Sequence, residues 1–139
     1  MRLKEDNLLE RLRRERPLIH CMTNYVTAGD VANYLLAAGA SPVMADSARE
    51  AEEVTAAARG LVLNLGTLSD EKLAAMRLAG KKAAVLGHPI VLDPVGAGGA
   101  SFRTEAAKAL VHELPCSVIR GNVSEILALS EESSALYGV

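Results

Sequence analysis

The chain has few aromatic residues, few cysteines and no excess of positive charge, and each scarcity excludes a class of protein. Tryptophan is absent and phenylalanine occurs once in 139 residues, so the chain lacks the stacking aromatics of a single-strand nucleic-acid platform. The net charge of −2 provides no basic surface for nucleic acid, and we expect no such partner. Two cysteines are too few for a disulfide framework and favour a reducing compartment.

Long apolar runs are also missing. No stretch approaches the roughly 20 apolar residues that cross a bilayer, so we expect no membrane segment. The charged residues 1–16 lack the continuous apolar core of a signal peptide. They place Leu8, Leu9 and Leu12 on one helical face, which predicts an amphipathic leading helix. We therefore expect a cytoplasmic protein.

Apolar residues make up half of the chain, and short apolar runs alternate with helical patterns along its length. The predicted strands are residues 17–21, 42–45, 61–65, 89–92 and 117–119. The predicted helices are residues 27–38, 47–58, 69–86, 104–113 and 122–129. This βαβ alternation is typical of an α/β fold, with a parallel sheet and helices on both of its faces. The 139 residues fit either a complete small domain or the front part of a larger one, and we expect the last residues, 130–139, to form a loop or frayed end.

One segment, residues 91–99, combines the end of a buried strand with an acid and a glycine turn. The strand stops at Asp93 and Pro94, and glycines occupy three of the next five positions. Ligands of open α/β sheets bind beyond the carboxyl ends of the strands, where Asp93 would face a metal-bound phosphate. The alternative is a simple Asp-Pro turn. The glycine spacing matches neither the dinucleotide-binding fingerprint nor the phosphate-binding P-loop.

A second group of polar residues follows the strand predicted at 117–119. Arg120 offers a planar cation to nucleotide phosphates, and Asn122 is a good helix N-cap with Glu125 as its capping partner. Glu125 can also hold a water molecule on Mg²⁺, which prefers oxygen ligands and retains waters. The capping and magnesium interpretations are compatible, because a helix N-terminus also attracts anions.

The ends of the first three predicted strands supply further candidates. Adjacent strand residues point to opposite faces, so His20 and Cys21 do not form a catalytic dyad and are expected to pack in the interior. Asn24 is placed to hydrogen-bond a small polar ligand. Met44 is either a core residue or a soft contact for an aromatic heterocycle. Gly66 allows the backbone to approach the same ligand.

Five sequence blocks together resemble the hydroxyethylthiazole kinases of thiamine salvage. The blocks are HCMTNYVT at 20–27, GASPVMAD at 39–46, NLGTL at 64–68, LDPVGAG at 92–98 and VIRGNVSE at 118–125. The resemblance implies a ribokinase-like fold and a homotrimer with its thiazole sites between subunits. It also implies phosphorylation of the hydroxyethyl group of 4-methyl-5-(2-hydroxyethyl)thiazole, with ATP as co-substrate and Mg²⁺ as cofactor.

The resemblance also assigns roles to particular positions. It puts Met44 at the thiazole with Asn24 and Gly66 nearby. It puts Arg120 and Asn122 at ATP. It puts Asp93 and Glu125 around Mg²⁺ and the phosphates.

This sequence departs from the family pattern in one large respect. Family members are longer, and their second half carries a Gly-Thr-Gly turn followed by the residue beside the reacting hydroxyl. No Gly-Thr-Gly occurs here, so we expect a truncated domain with no catalytic residue of its own and without activity alone. The alternative is a non-catalytic thiazole- or nucleotide-binding module. A related kinase for another small alcohol fits less well, because the NYVT and PVMAD motifs are particular to the thiazole enzymes.

Overall fold

Five short strands form a parallel sheet at the centre of the computed structural model, which describes residues 8–130. The strands are β1 (Leu18–Met22), β2 (Ser41–Val43), β3 (Gly60–Asn64), β4 (Ile90–Asp93) and β5 (Val118–Ile119). Their order is β2-β1-β3-β4-β5, and neighbouring strands in this order pair in parallel. The predicted parallel α/β sheet is confirmed, although strand boundaries differ from the prediction by at most two residues.

Six helices accompany these strands within residues 8–130. They are α1 (Leu8–Glu15), α2 (Ala28–Ala38), α3 (Ala51–Ala57), α4 (Asp70–Leu86), α5 (Ser101–Glu113) and α6 (Val123–Ser130). Helix α1 lies within the predicted leading helix, whose first seven residues fall outside the described part. Ser130 ends α6, and the other residues of the loop or frayed end predicted at 130–139 lie outside the described range. None of the helices in this range is both long and apolar enough to cross a membrane.

Two helices begin three or four residues away from their predicted starts. Helix α3 starts at Ala51, because the Ser47 hydroxyl accepts a hydrogen bond from the Arg49 amide at 3.2 Å and the intervening residues form a turn. Helix α5 starts at Ser101, ahead of the predicted Thr104. The Thr104 hydroxyl donates back to the carbonyl of Ala100 at 2.8 Å, so this threonine lies in the first turn and does not precede it.

Helices cover both faces of the sheet, as predicted. His20 and Cys21 are neighbours on β1 and point to opposite faces. The His20 ring contacts Thr55 of α3, whereas Cys21 lines a small apolar cavity with Val31 and Tyr34 of α2. The larger core lies on the α3 side, where the fully buried side chains include Met22, Leu61, Leu63, Leu65, Met76, Ile90, Leu92 and Leu110.

The buried histidine on β1 has a structural role, as the sequence indicates. His20 is fully buried, with Nδ1 2.9 Å from the Thr55 hydroxyl and Nε2 2.9 Å from the carbonyl oxygen of Ala45. Its ring therefore ties β1 to α3 and to the segment that follows β2. Burial lowers the pKa of His20 below its ordinary value of 6.5.

This lowered pKa predicts a loss of stability in mild acid. The unfolded chain takes up a proton at His20 near pH 6.5, whereas the folded chain takes it up only at lower pH. The free energy of unfolding therefore has its full His20 contribution above pH 6.5 and falls below it, by at most about 1.4 kcal/mol per pH unit. Urea unfolding between pH 7 and pH 5 should show a shallower decline for His20→Gln. Parallel curves for the two proteins would contradict this role.

Candidate functional site

The predicted site residues lie at one edge of the sheet, where its parallel strands end; we call this the carboxyl edge. Asn24 follows β1, Met44 follows β2 and Gly66 follows β3. Asp93 ends β4, and Arg120 follows β5. Strand β1 is flanked by β2 on one side and β3 on the other, so the direction of winding reverses there. Such a switch point opens a crevice in which α/β proteins bind ligands.

A continuous series of side-chain hydrogen bonds crosses this crevice. The Asn24 amide nitrogen donates to Asn64 Oδ1 at 3.2 Å, and Asn64 Nδ2 donates to Asp93 Oδ2 at 3.0 Å. Arg120 Nη1 donates to the same Asp93 oxygen at 2.5 Å. The series joins the ends of β1, β3, β4 and β5, so the carboxyl edge behaves as one connected polar unit.

Asn64 is the centre of this unit, and the sequence reasoning did not select it. Its Oδ1 also accepts the backbone amide of Gly66 at 2.9 Å, and its side chain is almost completely buried. It pairs in register with Asp93 across β3 and β4. A polar residue ending a buried strand beside the strand of Asp93 was the available signal. Asn64 therefore positions Asp93, Asn24 and the turn at Gly66.

Removing the Asn64 side chain should destabilise the protein. Asn64→Ala leaves the Asn24 amide, the Gly66 amide and the Asp93 carboxylate without this partner in a buried setting. We expect a loss of about 2–4 kcal/mol in the free energy of unfolding. Urea unfolding measures this value. Exposed Asn122→Ala, which removes the cap of α6 and the acceptor of the Ser124 hydroxyl, should cost about 1 kcal/mol. Equal losses in the two variants would contradict the central position of Asn64.

Asp93 presents its carboxylate where phosphate chemistry is expected. The residue is 7% exposed, and two donors hold one of its oxygens. The side chain of its partner Arg120 is 73% exposed, so most of the guanidinium faces solvent at the carboxyl edge. A planar cation with free donor directions suits bidentate contact with phosphate oxygens. The pair therefore joins a fixed anion to an accessible cation.

The glycine turn after Asp93 is built on left-handed backbone. Gly96 and Gly98 have φ angles of +79° and +85°, which other residues rarely adopt. Their amides are already bonded, because Gly96 N donates to Glu125 Oε1 at 3.0 Å and Gly98 N donates to the Thr104 hydroxyl at 2.8 Å. In this structure, side chains of α5 and α6 thus hold the two amides of the turn.

Glu125 and Asn122 form the predicted capping pair. Asn122 N donates to Glu125 Oε2 at 2.9 Å, and Glu125 N donates to Asn122 Oδ1 at 2.9 Å. The other carboxylate oxygen of Glu125 accepts the Gly96 amide. Glu125 therefore caps α6 and fixes that helix against the turn following Asp93, which places both carboxylates around the same loop.

Met44 and Gly66 occupy the β2 and β3 parts of the carboxyl edge. Met44 is 38% exposed, so its thioether is accessible to a ligand and is not a buried core group. Gly66 is buried, and a Cβ atom added there would lie 2.6 Å from Asn24 Cβ and 3.0 Å from Asn64 Oδ1. Only a glycine allows the backbone to pass this close to the two asparagines.

The acidic groups of the carboxyl edge fit a magnesium ion that arrives with a nucleotide. Residues 8–130 contain no group of three or more His, Cys, Asp and Glu side chains that could hold a metal ion by themselves. Mg²⁺ is usually held by one or two carboxylates together with substrate phosphates and waters. Asp93 and Glu125 border one turn and match such a donor set.

Comparisons with known proteins identify relatives of this chain. A model described as "HK: Hydroxyethylthiazole kinase family" matches residues 9–139. The chain is 50% identical over 133 residues to a hydroxyethylthiazole kinase of Clostridium tetani, covering 96% of this chain and 48% of the relative. A hydroxyethylthiazole kinase of Halalkalibacterium halodurans is also 50% identical, with 94% of this chain and 50% of the relative covered.

A solved structure agrees with these sequence matches. The hydroxyethylthiazole kinase protein from Pyrococcus horikoshii OT3 superimposes with a TM-score of 0.84 at 46% sequence identity. The alignment covers 87% of this chain and 47% of that one. The chain thus spans about half the length of the curated relatives it matches.

Proposed function

Because the chain belongs to the hydroxyethylthiazole kinase family, we propose that it forms the thiazole- and magnesium-binding part of an ATP-dependent kinase. The substrate is 4-methyl-5-(2-hydroxyethyl)thiazole, and the reaction transfers a phosphoryl group from ATP to its hydroxyethyl oxygen. One observation carries this proposal, namely the bonded series from Asn24 through Asn64 and Asp93 to Arg120. It links a position suited to a small polar ligand with a position suited to phosphates.

We propose distinct roles for the two ends of this series. Asn24, Met44 and Gly66 contact the thiazole near the ends of β1, β2 and β3. The accessible thioether of Met44 supports this role, because a polarisable sulfur packs well against an aromatic ring.

The other end of the series binds the nucleotide. Arg120 and Asn122 contact ATP, and Asp93 and Glu125 hold Mg²⁺ with its waters and phosphates. When bound, Mg²⁺ neutralises charge that develops on the phosphates. Phosphoryl transfer depends mainly on positioning and electrostatic stabilisation. The contribution of this chain is therefore to fix the acceptor and the nucleotide relative to one another.

We propose that the chain forms half of an active site. No residue assigned here lies beside the reacting hydroxyl, and the sequence spans about half of its relatives. We propose that the 139 residues bind ligand without turnover, and that activity requires the longer natural polypeptide. In our proposal that polypeptide is a cytoplasmic homotrimer.

The direct test is a phosphorylation assay on the complete natural polypeptide that contains this sequence. The protein is incubated with ATP, Mg²⁺ and the thiazole alcohol, and the phosphate ester is detected by mass spectrometry. The 139-residue chain serves as the second sample. Ester formation by the complete polypeptide alone supports the proposal. Absence of ester in both samples counts against the kinase assignment.

A second function, that of a non-catalytic binding module, is favoured by the partial coverage of the relatives. Calorimetric titration of the 139-residue chain with thiazole alcohol distinguishes the two. Saturable binding by the chain, without ester formation by the complete polypeptide, would support the binding module. Ester formation by the complete polypeptide would exclude it.

A further inference from the structure

Helix α4 begins with a buried lysine whose location is electrostatically unfavourable. Lys72 is 3% exposed and lies in the first turn of α4, where the helix dipole repels a cation. Burial of an ammonium group is costly unless partners compensate it. Ser69 caps the α4 backbone by accepting the Lys72 amide, so the cap does not engage the charged end of the side chain. The fold must therefore supply specific partners for Nζ.

The partners of Lys72 Nζ all lie in the two segments that follow β1 and β2. The ammonium donates to the carbonyl of Thr23 and lies 3.5 Å from Asp46 Oδ2. It also sits 4.8 Å from the centre of the Tyr25 ring, which adds a cation–π contact. One buried charge thus joins the residues adjoining Asn24 to the residues adjoining Met44.

His20, which lies on β1, also restrains the segment that follows β2. Its Nε2 lies 2.9 Å from the carbonyl oxygen of Ala45, between Met44 and Asp46. The segment after β2 is therefore held at two consecutive residues, by His20 at Ala45 and by Lys72 at Asp46. Both contacts are buried on the His20 and Lys72 side, so together they restrain the position of the segment that carries Met44.

We propose that Lys72 is a positioning residue that fixes the distance between Asn24 and Met44, and so sets the affinity for the thiazole. This inference rests on the function proposed above for those two residues. Lys72 acts through Thr23 and Asp46 and does not touch the substrate, because its ammonium is buried among protein groups. Neither the family resemblance nor the sequence motifs predicted this role for Lys72.

The kinetic test uses Lys72→Met in the complete natural polypeptide, with Lys81→Met as the control. Lys81 is an exposed lysine on the same helix, so both variants lose one positive charge from α4. We expect the KM for thiazole alcohol to rise about tenfold in Lys72→Met, equivalent to about 1.4 kcal/mol, while kcat changes by less than about twofold. The control should keep both constants. Unchanged KM in a folded Lys72→Met protein would overturn the proposal.

Asp46→Asn provides a second variant that preserves side-chain volume, for use if Lys72→Met does not fold. We expect its KM to rise in the same direction by a smaller factor, because the carbonyl of Thr23 still accepts from Lys72. In the double variant the two effects should not multiply, since each substitution breaks the same contact. Fully multiplicative effects would show that the two residues act independently and would overturn their coupling.

Asp46→Asn also has a spectroscopic signature that does not depend on kinase activity. The carboxylate of Asp46 raises the pKa of Tyr25, because it disfavours a second negative charge on the phenol. Asp46→Asn should therefore lower this pKa, as followed by tyrosinate absorbance in alkaline titration. Tyr25→Phe identifies the signal among the three tyrosines. An unchanged titration would contradict the placement of the Asp46 carboxylate beside Tyr25, which itself contacts Lys72.

Amide hydrogen exchange separates this inference from the proposed function. Lys72→Met should accelerate exchange at residues 23–27 and 44–46, and Lys81→Met should not. If the complete polypeptide does not phosphorylate the thiazole alcohol, the proposed function fails, and exchange still decides whether Lys72 holds the two segments. Unchanged exchange would overturn the positioning role of Lys72. Faster exchange with an unchanged KM would show that this positioning does not set the affinity for the thiazole, and would overturn that part of the proposal.

Discussion

Asp93→Asn in the complete natural polypeptide is expected to lower kcat for thiazole alcohol phosphorylation by about a hundredfold or more. The substitution keeps the shape of the side chain and removes its charge. Asparagine is a poor ligand for the hard Mg²⁺ ion compared with a carboxylate, and Arg120 loses its anionic partner. Steady-state kinetics at saturating ATP measure the change.

Asp70→Asn is the matched control for this prediction. Asp70 is exposed in the first turn of α4 and belongs to neither the proposed thiazole contacts nor the proposed magnesium ligands, so the control makes the same chemical change outside those groups. Its kcat should stay within about twofold of the parent, since exposed substitutions have small effects. A folded Asp93→Asn protein with parent-like kcat would remove Asp93 from the magnesium site.

Gly66→Ala is expected to damage both stability and thiazole binding. The new methyl group would lie 2.6 Å from Asn24 Cβ, so Asn24 or the backbone at Gly66 must move. We expect a loss of about 1–3 kcal/mol in the free energy of unfolding, as for other overpacked sites. The KM for thiazole alcohol should rise by about tenfold or more, because Asn24 is displaced from its contact with Asn64.

Gly29→Ala is the control for the alanine substitution. Gly29 lies in α2, where an added Cβ would meet nothing within 4 Å. Alanine is the better helix former, so this variant should be stabilised by up to about 1 kcal/mol with unchanged kinetics. Thermal unfolding and the phosphorylation assay measure both proteins. If Gly66→Ala behaves like Gly29→Ala, the close approach at Gly66 is irrelevant to the site.

The sequence predicts the order and type of the elements well, because strand and helix patterns alternate clearly. It also predicts which residues meet at the carboxyl edge, since parallel strands deliver their carboxyl ends to the same side. Boundaries are less predictable. Ser47 resembles a helix cap in sequence, but its hydroxyl instead stabilises a turn, so α3 starts four residues later.

The contacts between loops are the part that sequence reasoning could not supply. Asn64 belongs to the NLGTL block but was given no role there, and Lys72 lies outside all five blocks. The importance of both residues arises from what folding places beside them. Asn64 meets Asp93 because β3 and β4 pair in that register. Lys72 meets Thr23 and Asp46 across long sequence separations. Glu125 shows the opposite case, because its capping contact with Asn122 is local and was predicted correctly.

A crystal structure of the complete natural polypeptide with thiazole alcohol, Mg²⁺ and a non-hydrolysable ATP analogue tests the central claim most directly. We predict the thiazole ring against Met44 and Asn24, and the metal-bound phosphates beside Asp93 and Arg120. Thiazole density in the apolar cavity between Cys21 and Tyr34, or phosphates bound away from Asp93, would contradict the site described at the carboxyl edge.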